Sequence, residues 1–293
     1  MKTLRDIGED ELIRTLVAGF GGSPELRVGP GDDCAVWQAP GAPAWLLKTD
    51  AIVEGIHFLP EARPEAVGWK AIARVASDMA AMGGRPEGYL VTVALRPDLA
   101  VSWVEALYAG MREAMRVCGG VLAGGETTAV PATGAVVISV AATGRVAGEP
   151  VLRSTGRPGD LVAVTGELGG SLAGKHLGFH PRLAHGEWLA RHGVSAMMDL
   201  SDGLGRDLPR LAGASGCGWV VDEERVPTSA GCSVAAALGD GEDYELLVTL
   251  PPAASDAILA GWARAFPDLR LTVVGRLTGE PADGAVTGWE HFR

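Results

Sequence analysis

The sequence predicts an α/β (α+β) fold in two domains, and three observations lead to this prediction. Apolar runs with strand character alternate with segments whose apolar residues recur at helical spacing. The 293 residues, 47% of them apolar, suffice for two hydrophobic cores of ordinary size. Turn-forming residues at Gly148-Glu149-Pro150 separate two such series. We therefore predict an N-terminal domain over residues 1–147 and a C-terminal α/β domain over 148–293.

Charge and cysteine usage argue against several classes of protein. The 25 Lys and Arg residues oppose 36 Asp and Glu residues, and the net charge of −11 disfavours a surface that neutralises nucleic-acid phosphates. The four cysteines have no paired spacing, which disfavours a zinc or redox site and is typical of reduced thiols. There is no apolar leader and no apolar run long enough to span a membrane. We expect a soluble, cytoplasmic protein without nucleic-acid or membrane partners.

The chain opens with a predicted helix and an acidic turn. Apolar residues recur at helical spacing over 9–20 and end at Gly21-Gly22, a stop signal. In the following turn, Gly31 precedes the adjacent carboxylates Asp32 and Asp33, and a short strand comes next. Acidic residues after Pro-Gly are also ordinary turn chemistry, so a metal-binding role and a purely structural one both remain open here.

The stretch from Lys48 to Phe58 follows an apolar strand and concentrates polar groups. Within it, Asp50 and Glu54 are candidate metal ligands, and His57 is a candidate contact for an anionic substrate. The alternative is that these residues are solvated at a strand-to-loop turn. The next helix, predicted over 64–84, carries Asp78 among apolar residues, where a buried carboxylate is costly unless a cation pairs with it.

A strand over 89–95, a helix over 102–118 and a short strand over 121–123 follow, and the last leads into Gly124-Gly125-Glu126. A Gly-Gly pair lets the backbone approach a phosphate, and Glu126 is placed to hold an accompanying metal. A long strand over 134–146 closes this half.

The second half continues with a strand over 161–166 and a near match to a P-loop. Gly169, Gly174 and Lys175 have the right spacing, but His176 stands where the motif needs a hydroxyl for magnesium, so a glycine-rich helix start is the better interpretation. The four histidines over 176–192 have no third ligand in a zinc-binding pattern, which favours solvated loop positions.

A second acidic group precedes a helix that begins near residue 204. Asp199, Ser201 and Asp202 are placed to converge at its N-terminus, where anions and their metals are favoured. Capping would explain one of them but not all three. Glu242 leads into a strand, followed by a helix over 253–266 and a strand over 269–275. Trp289 is either a docking anchor for the tail or one wall of a pocket.

Taken together, the acids in special positions require cations. They are Asp33, Asp50, Asp78, Glu126, Asp199 and Asp202. So many carboxylates share one site only when several divalent ions neutralise them, and such a site suits a polyphosphate substrate. We find no grouping typical of a covalent nucleophile, and phosphoryl transfer needs none.

These motifs resemble those of the thiamine-monophosphate kinase family, in order and over nearly the whole chain. They are Gly31-Asp32-Asp33-Cys34-Ala35, Thr49-Asp50 with Glu54-Gly55 and His57-Phe58, 77–83, Gly124-Gly125-Glu126-Thr127, 199–204 and 241–246. That family belongs to a superfamily with aminoimidazole ribonucleotide synthetase, selenophosphate synthetase and the hydrogenase-maturation dehydratase. The resemblance implies a synthetase-like fold of two domains, a homodimer whose N-terminal sheets pair, and direct phosphorylation of thiamine monophosphate by ATP, assisted by several Mg²⁺ ions.

The resemblance also implies residue roles. It assigns the binding of magnesium to seven residues: Asp33, Thr49, Asp50, Asp78, Glu126, Asp199 and Asp202. ATP is assigned to Tyr108, Gly125, Glu126, Arg153 and Ser201. Thiamine monophosphate is assigned to His57, Glu242 and Trp289, and Glu54 receives no ligand role.

The chain departs from the family pattern at three places. Glu126 stands where the family usually has Asp, and the segment between Gly166 and Asp199 is short. Lys48 stands where the family often has a small hydroxyl residue that helps to ligate a metal, so its ammonium could replace a cation or touch phosphate. Two alternatives stay open: another ATP-dependent member of the superfamily, or a nucleotide-binding relative without turnover.

Overall fold

Two β-sheets organise the protein, whose computed structural model describes residues 2–280 and 288–289. The first sheet has six strands in the order β1-β2-β3-β6-β4-β5. Its strands are β1 (Leu26–Val28), β2 (Ala35–Trp37), β3 (Trp45–Val53), β4 (Gly84–Leu95), β5 (Val121–Ala129) and β6 (Val137–Val146). Neighbours are antiparallel except β4 and β5, which are parallel because helix α3 (Val101–Cys118) connects them.

The second sheet lies entirely beyond residue 148 and is antiparallel throughout. Its order is β8-β10-β7-β11-β9. The strands are β7 (Leu161–Thr165), β8 (Ala196–Asp199), β9 (Gly218–Val221), β10 (Leu246–Leu250) and β11 (Leu271–Thr278). The central strands β7 and β10 are almost wholly buried, since helices cover the sheet. The mixture of helices and sheets predicted from the sequence is confirmed.

Helix α2 (Pro64–Ala81) is the central helix of the first half. Its apolar side chains, such as Ile72 and Met79, pack on the inner face of the first sheet. Helix α3 lies against it at a close glycine contact, since a Cβ at Gly68 or Gly110 would overlap the backbone of the other helix. The remaining helices are α1 (Leu4–Val17), α4 (Leu183–Arg191), α5 (Leu204–Ala214), α6 (Val234–Gly239) and α7 (Pro252–Ala265).

Helix α2 also contacts the second half of the chain through small residues. Ala76 and Ala80 pack against Leu183 of α4, and a Cβ at Gly186 would overlap the carbonyl of Ala80. One residue earlier than Asp78, the Ser77 hydroxyl donates to Asp199 at the end of β8, at 2.6 Å. The last turns of α2 therefore pack against both halves of the chain.

The structure corrects several local predictions. Gly124-Gly125-Glu126 lies inside β5 and not in a loop, because β4 pairs with β5 along its whole length. The segment over 171–177 forms two short 3₁₀ turns and not a helix start. Helix α1 begins earlier than predicted, at Leu4, and ends at Val17, which leaves Phe20 outside the helix and 84% exposed. Helix α4 and strand β9 were not predicted at all.

Among the described residues, the helices are too short or too polar to cross a membrane.

Candidate active site

A cavity of about 480 Å³ brings together the acidic segments of both halves. The turn before β2, strand β3 and helix α2 line it from the first half, and the end of β8 and the start of α5 line it from the second. The lining includes the predicted residues Asp50, Asp78, Arg153, Asp199, Ser201 and Asp202.

Three buried carboxylates form the centre of this site. One oxygen from each of Asp33, Asp78 and Asp199 lies within 4.8 Å of the other two. Burial raises the pKa of Asp78 well above its usual range and that of Asp199 to about 7. The second oxygen of Asp33 is buried and has no hydrogen-bond partner among the described residues. Such a cluster is stable in its charged form only with a cation between the carboxylates, and oxygen ligands suit Mg²⁺.

Basic side chains surround the three carboxylates. Arg153 donates to Asp33 at 2.6 Å, and the Lys48 ammonium donates to Asp78 at 2.6 Å. Burial opposes the charged form of Lys48, but the carboxylates of Asp78 and Asp50 outweigh it, so the pKa of this ammonium is raised. Arg74 lies 3.1 Å from the Asp50 carboxylate. The site therefore presents alternating positive and negative groups, as binding of a metal-phosphate complex requires.

The alternation of side chains along β3 separates Thr49 from Asp50, although both were predicted to bind magnesium. Lys48 and Asp50 are two residues apart on β3 and face inward to the cavity. Thr49 lies between them and therefore points to the opposite face of the sheet. There it lines an apolar depression of about 450 Å³ together with Leu90 and Ala123.

The loop from Ser201 to Asp202 is held by a carboxylate that the sequence analysis did not identify. Buried Asp207 accepts hydrogen bonds from the backbone N–H groups of Ser201 and Asp202, at 3.0 and 2.9 Å. The side chain of Asp202 is therefore not used for capping and lines the cavity, where it pairs with Arg210. Because Asp207 satisfies these backbone groups, the Asp202 carboxylate is available for a ligand.

A smaller cavity of about 90 Å³ adjoins the large one, and both are lined by Arg74, Ser201, Asp202 and Tyr244. Its remaining walls include the three predicted substrate residues, His57, Glu242 and Trp289. Burial lowers the pKa of His57 to about 4, so its imidazole is neutral near pH 7.

Glu242 is held in place by a buried lysine. The Lys70 ammonium, which is 0% exposed, donates to Glu242 at 2.7 Å and to the carbonyl of His57 at 2.6 Å. Nδ1 of His176 lies 3.0 Å from the same carboxylate oxygen. Burial acts to raise the pKa of Glu242, but the contacts with His176 and Lys70 dominate and lower it to about 2. The prediction that His176 is a solvated loop residue is therefore wrong, because its imidazole belongs to this buried network.

The backbone of this segment is strained. Glu242 and Tyr244 have φ values of 54° and 51°, in the left-handed region that residues other than glycine seldom adopt. Such conformations cost about 1–3 kcal/mol each and persist only where the surroundings impose them. Here they turn both side chains into the smaller cavity.

The structure places three predicted ATP residues away from the two cavities. Tyr108 on α3 lines a separate groove with Met111 and Leu122. Gly125 and Glu126 lie exposed on β5, at the edge of the first sheet. Glu54, to which no ligand role was assigned, forms an ion pair with Arg96.

Sequence reasoning missed Lys70, Arg74 and Arg210. A signal for the first two was present, because Lys70, Arg74 and Asp78 are spaced four residues apart and mark one polar stripe on an otherwise apolar helix. Their partners, Glu242 and Asp50, could not be inferred from that spacing.

Comparisons with known proteins find similar sequences and structures along both halves of the chain. Residues 31–146 match the family of AIR synthase related proteins, N-terminal domain, and residues 170–287 match the C-terminal domain of the same family. A thiamine-monophosphate kinase of Salmonella typhimurium is 35% identical over 78% of this chain and 77% of its own length. The Escherichia coli K12 enzyme of that name is 31% identical over 92% of this chain and 93% of its own length. The thiamine-monophosphate kinase of Mycobacterium tuberculosis is 32% identical over 99% of this chain and 93% of its own length.

Solved structures are similar over nearly the full length. AaThiL complexed with AMPPCP and TMP superposes with a TM-score of 0.84, at 31% identity, covering 99% of both chains. Thiamine monophosphate kinase from Aquifex aeolicus gives a TM-score of 0.76 at 30% identity, covering 96% of both. The hydrogenase maturation protein HypE of E. coli, at 19% identity and a TM-score of 0.69, shares the fold.

Proposed function

The chain belongs to the thiamine-monophosphate kinase family, and from this premise we propose that it transfers the γ-phosphate of ATP to the phosphate of thiamine monophosphate, forming thiamine diphosphate. The observation that carries the proposal is the pair of adjoining cavities. The larger is lined by carboxylates and cationic groups, which suits a metal-bound polyphosphate, and the smaller contains an ionised carboxylate and a tryptophan.

Several Mg²⁺ ions are part of the proposal. Asp33, Asp78 and Asp199 would hold them, with Asp50 and Asp202 at the margin of the same cavity. The donor set fits, because its carboxylate oxygens converge and one of them has no other partner in the described structure. When bound, the ions supply charge neutralisation for the transferred phosphoryl group.

The chain's own residues would orient the two phosphates. Arg153 and Arg74 are partly buried at the cavity wall, and a carboxylate already aligns each guanidinium group. Their fixed geometry suits phosphate oxygens, which guanidinium groups bind through two hydrogen bonds. We propose direct transfer without a protein nucleophile, so that catalysis consists of positioning and electrostatic stabilisation.

At the other end, Glu242 and Trp289 would bind the organic part of the substrate. Thiamine carries a cationic ring, and an ionised carboxylate beside an aromatic side chain is complementary to such a ring. His57, neutral near pH 7, would contribute a hydrogen bond and no charge.

We also propose a homodimer in the cytoplasm. The outer face of the first sheet exposes Leu47 and Leu90, which are 37% and 52% exposed, at the apolar depression that Thr49 lines. A second copy would cover this face. Because Tyr108, Gly125 and Glu126 lie at the β5 edge of the sheet, away from both cavities, our assignment of them to ATP requires that the dimer bring them near a bound nucleotide.

The test is product formation. Purified protein incubated with ATP, Mg²⁺ and thiamine monophosphate should yield thiamine diphosphate, measured by chromatography. Well-folded protein that yields no product would refute the proposal. A thermal-shift panel of phosphorylated small molecules would then separate a kinase of another substrate, stabilised by that substrate, from a nucleotide-binding relative, stabilised by ATP-Mg²⁺ alone.

A further inference from the structure

Lys48 places a positive charge directly against the acidic cluster. Its ammonium lies 2.6 Å from Oδ1 of Asp78, which is one of the three converging carboxylates. It reaches this position from β3, where Asp50 is the next residue on the same face. The side chains of Lys48 and Asp78 are only 22% and 10% exposed, so water screens the contact little.

The ammonium already occupies Oδ1 of Asp78, so a metal ion that used this oxygen would have to displace it. Mg²⁺ binds oxygen ligands at about 2.0–2.1 Å in a nearly octahedral shell. A Lys Nζ donates protons and cannot be one of those ligands. A divalent ion on Oδ1 of Asp78 would also lie close to the ammonium, and like charges at such a separation repel strongly in a buried site. The two cations therefore exclude each other at this oxygen.

Resting on the proposed function and its metal sites, we propose that the Lys48 ammonium is a tethered replacement for one divalent ion. The chain then binds one metal ion fewer than a related chain with a hydroxyl residue at this position. The carboxylates of Asp78 and Asp50 are partly neutralised before any metal arrives, and the remaining ions bind to the side of the cluster formed by Asp33 and Asp199.

Metal counting tests the proposal directly. Mn²⁺ bound per chain is measured by electron paramagnetic resonance, with the non-hydrolysable ATP analogue AMPPCP present, for wild type and Lys48→Thr. Lys48→Thr should bind one additional Mn²⁺ per chain. Lys48→Arg keeps the charge, and Lys2→Met removes an equal charge from an exposed position, so both should keep the wild-type count. Equal counts in wild type and Lys48→Thr would overturn the proposal.

Thermal stability gives a readout that does not depend on turnover. Without divalent ions, Lys48→Thr leaves Asp78 without its cation, so its melting temperature should fall below that of wild type. Addition of Mg²⁺ should then raise the melting temperature of Lys48→Thr by more than that of wild type. The same Mg²⁺-induced increase in both proteins would contradict the replacement.

Wild-type crystals with Mn²⁺ and AMPPCP keep the proposal testable if Lys48→Thr does not fold. The anomalous difference map should contain no peak within about 2.6 Å, an upper bound for such bonds, of the Asp78 oxygen that Lys48 contacts. A metal peak at that oxygen, with Lys48 displaced, would overturn the proposal. Failure of the kinase proposal is distinguishable, because it appears as absent thiamine diphosphate whatever the metal count.

Discussion

Replacement of Lys70 by methionine tests how the protein keeps a charged carboxylate beside its smaller cavity. Methionine has a similar length but donates no hydrogen bond, so Glu242 and the carbonyl of His57 both lose a donor. Loss of one partner of a buried ion pair costs about 3–5 kcal/mol. Because His176 remains near the same carboxylate oxygen, we expect the lower end, about 3 kcal/mol.

The assay is urea unfolding of four proteins: wild type, Lys70→Met, Glu242→Gln and the double variant. The double variant should be more stable than the sum of the single effects predicts, with a coupling energy of about 1–3 kcal/mol. As a control, Lys2→Met removes a lysine from an exposed position, and it should cost less than about 1 kcal/mol. A cost below about 1 kcal/mol for Lys70→Met, or strictly additive effects, would refute this account.

The same variant should also change substrate binding. Without Lys70 the Glu242 carboxylate loses the hydrogen bond that fixes its position, so it faces a cationic ring in a less defined geometry. We expect KM for thiamine monophosphate to increase while KM for ATP stays near the wild-type value. Equal changes in both constants would indicate a general loss of structure.

Three further predictions address other parts of the protein. Asp50→Asn should abolish turnover and leave the circular dichroism spectrum unchanged, because it removes a charge that faces the cavity and Arg74; near-normal activity would remove Asp50 from the metal site. Glu54→Gln should cost about 1–2 kcal/mol by weakening the pair with Arg96, without altering the Mg²⁺ dependence of the rate; a changed Mg²⁺ dependence would contradict a structural role. Burial lowers the pKa of His185 to about 4 in the folded protein. As the pH falls from 6.5, His185 is protonated in the unfolded chain before it is protonated in the folded one. The free energy of unfolding therefore decreases between pH 6.5 and 4. His185→Gln should remove about 1–2 kcal/mol of that decrease, after allowance for partial exposure, and identical pH profiles in denaturant unfolding would contradict it.

The sequence predicted the acidic centre because burial of a carboxylate has a recognisable cost. Asp78 interrupts an apolar helix, Asp199 ends an apolar run and Asp33 lies in a turn directly before a strand, and the structure brings their oxygens together. The cost of an unpaired buried charge is the physical reason that such positions attract attention in a sequence. The network around Lys70 could not be predicted in the same way, because its partner Glu242 is 172 residues away along the chain.

Strand β5 shows where local chemistry misled the prediction. The glycines at 124 and 125 indicated a loop, since glycine is favoured where backbone must turn or approach a ligand. Instead, Gly125 permits close pairing with β4, because a Cβ there would overlap the carbonyl of Val91. The hydrogen bonds of a parallel neighbour, supplied by a distant segment, decided the conformation.

The small-residue contact between α2 and the second half constrains substitutions on both surfaces. The acidic centre lies at the contact between the two halves, because one half contributes Asp78 and the other contributes Asp199. Ala80 and Gly186 meet there without a flexible side chain that could adjust to a change. A substitution that enlarges either surface would shift one carboxylate relative to the other. An enlarged residue on one surface therefore requires a smaller one on the other, and a chimera of halves from distant relatives would need matched residues along this contact before it could assemble the centre.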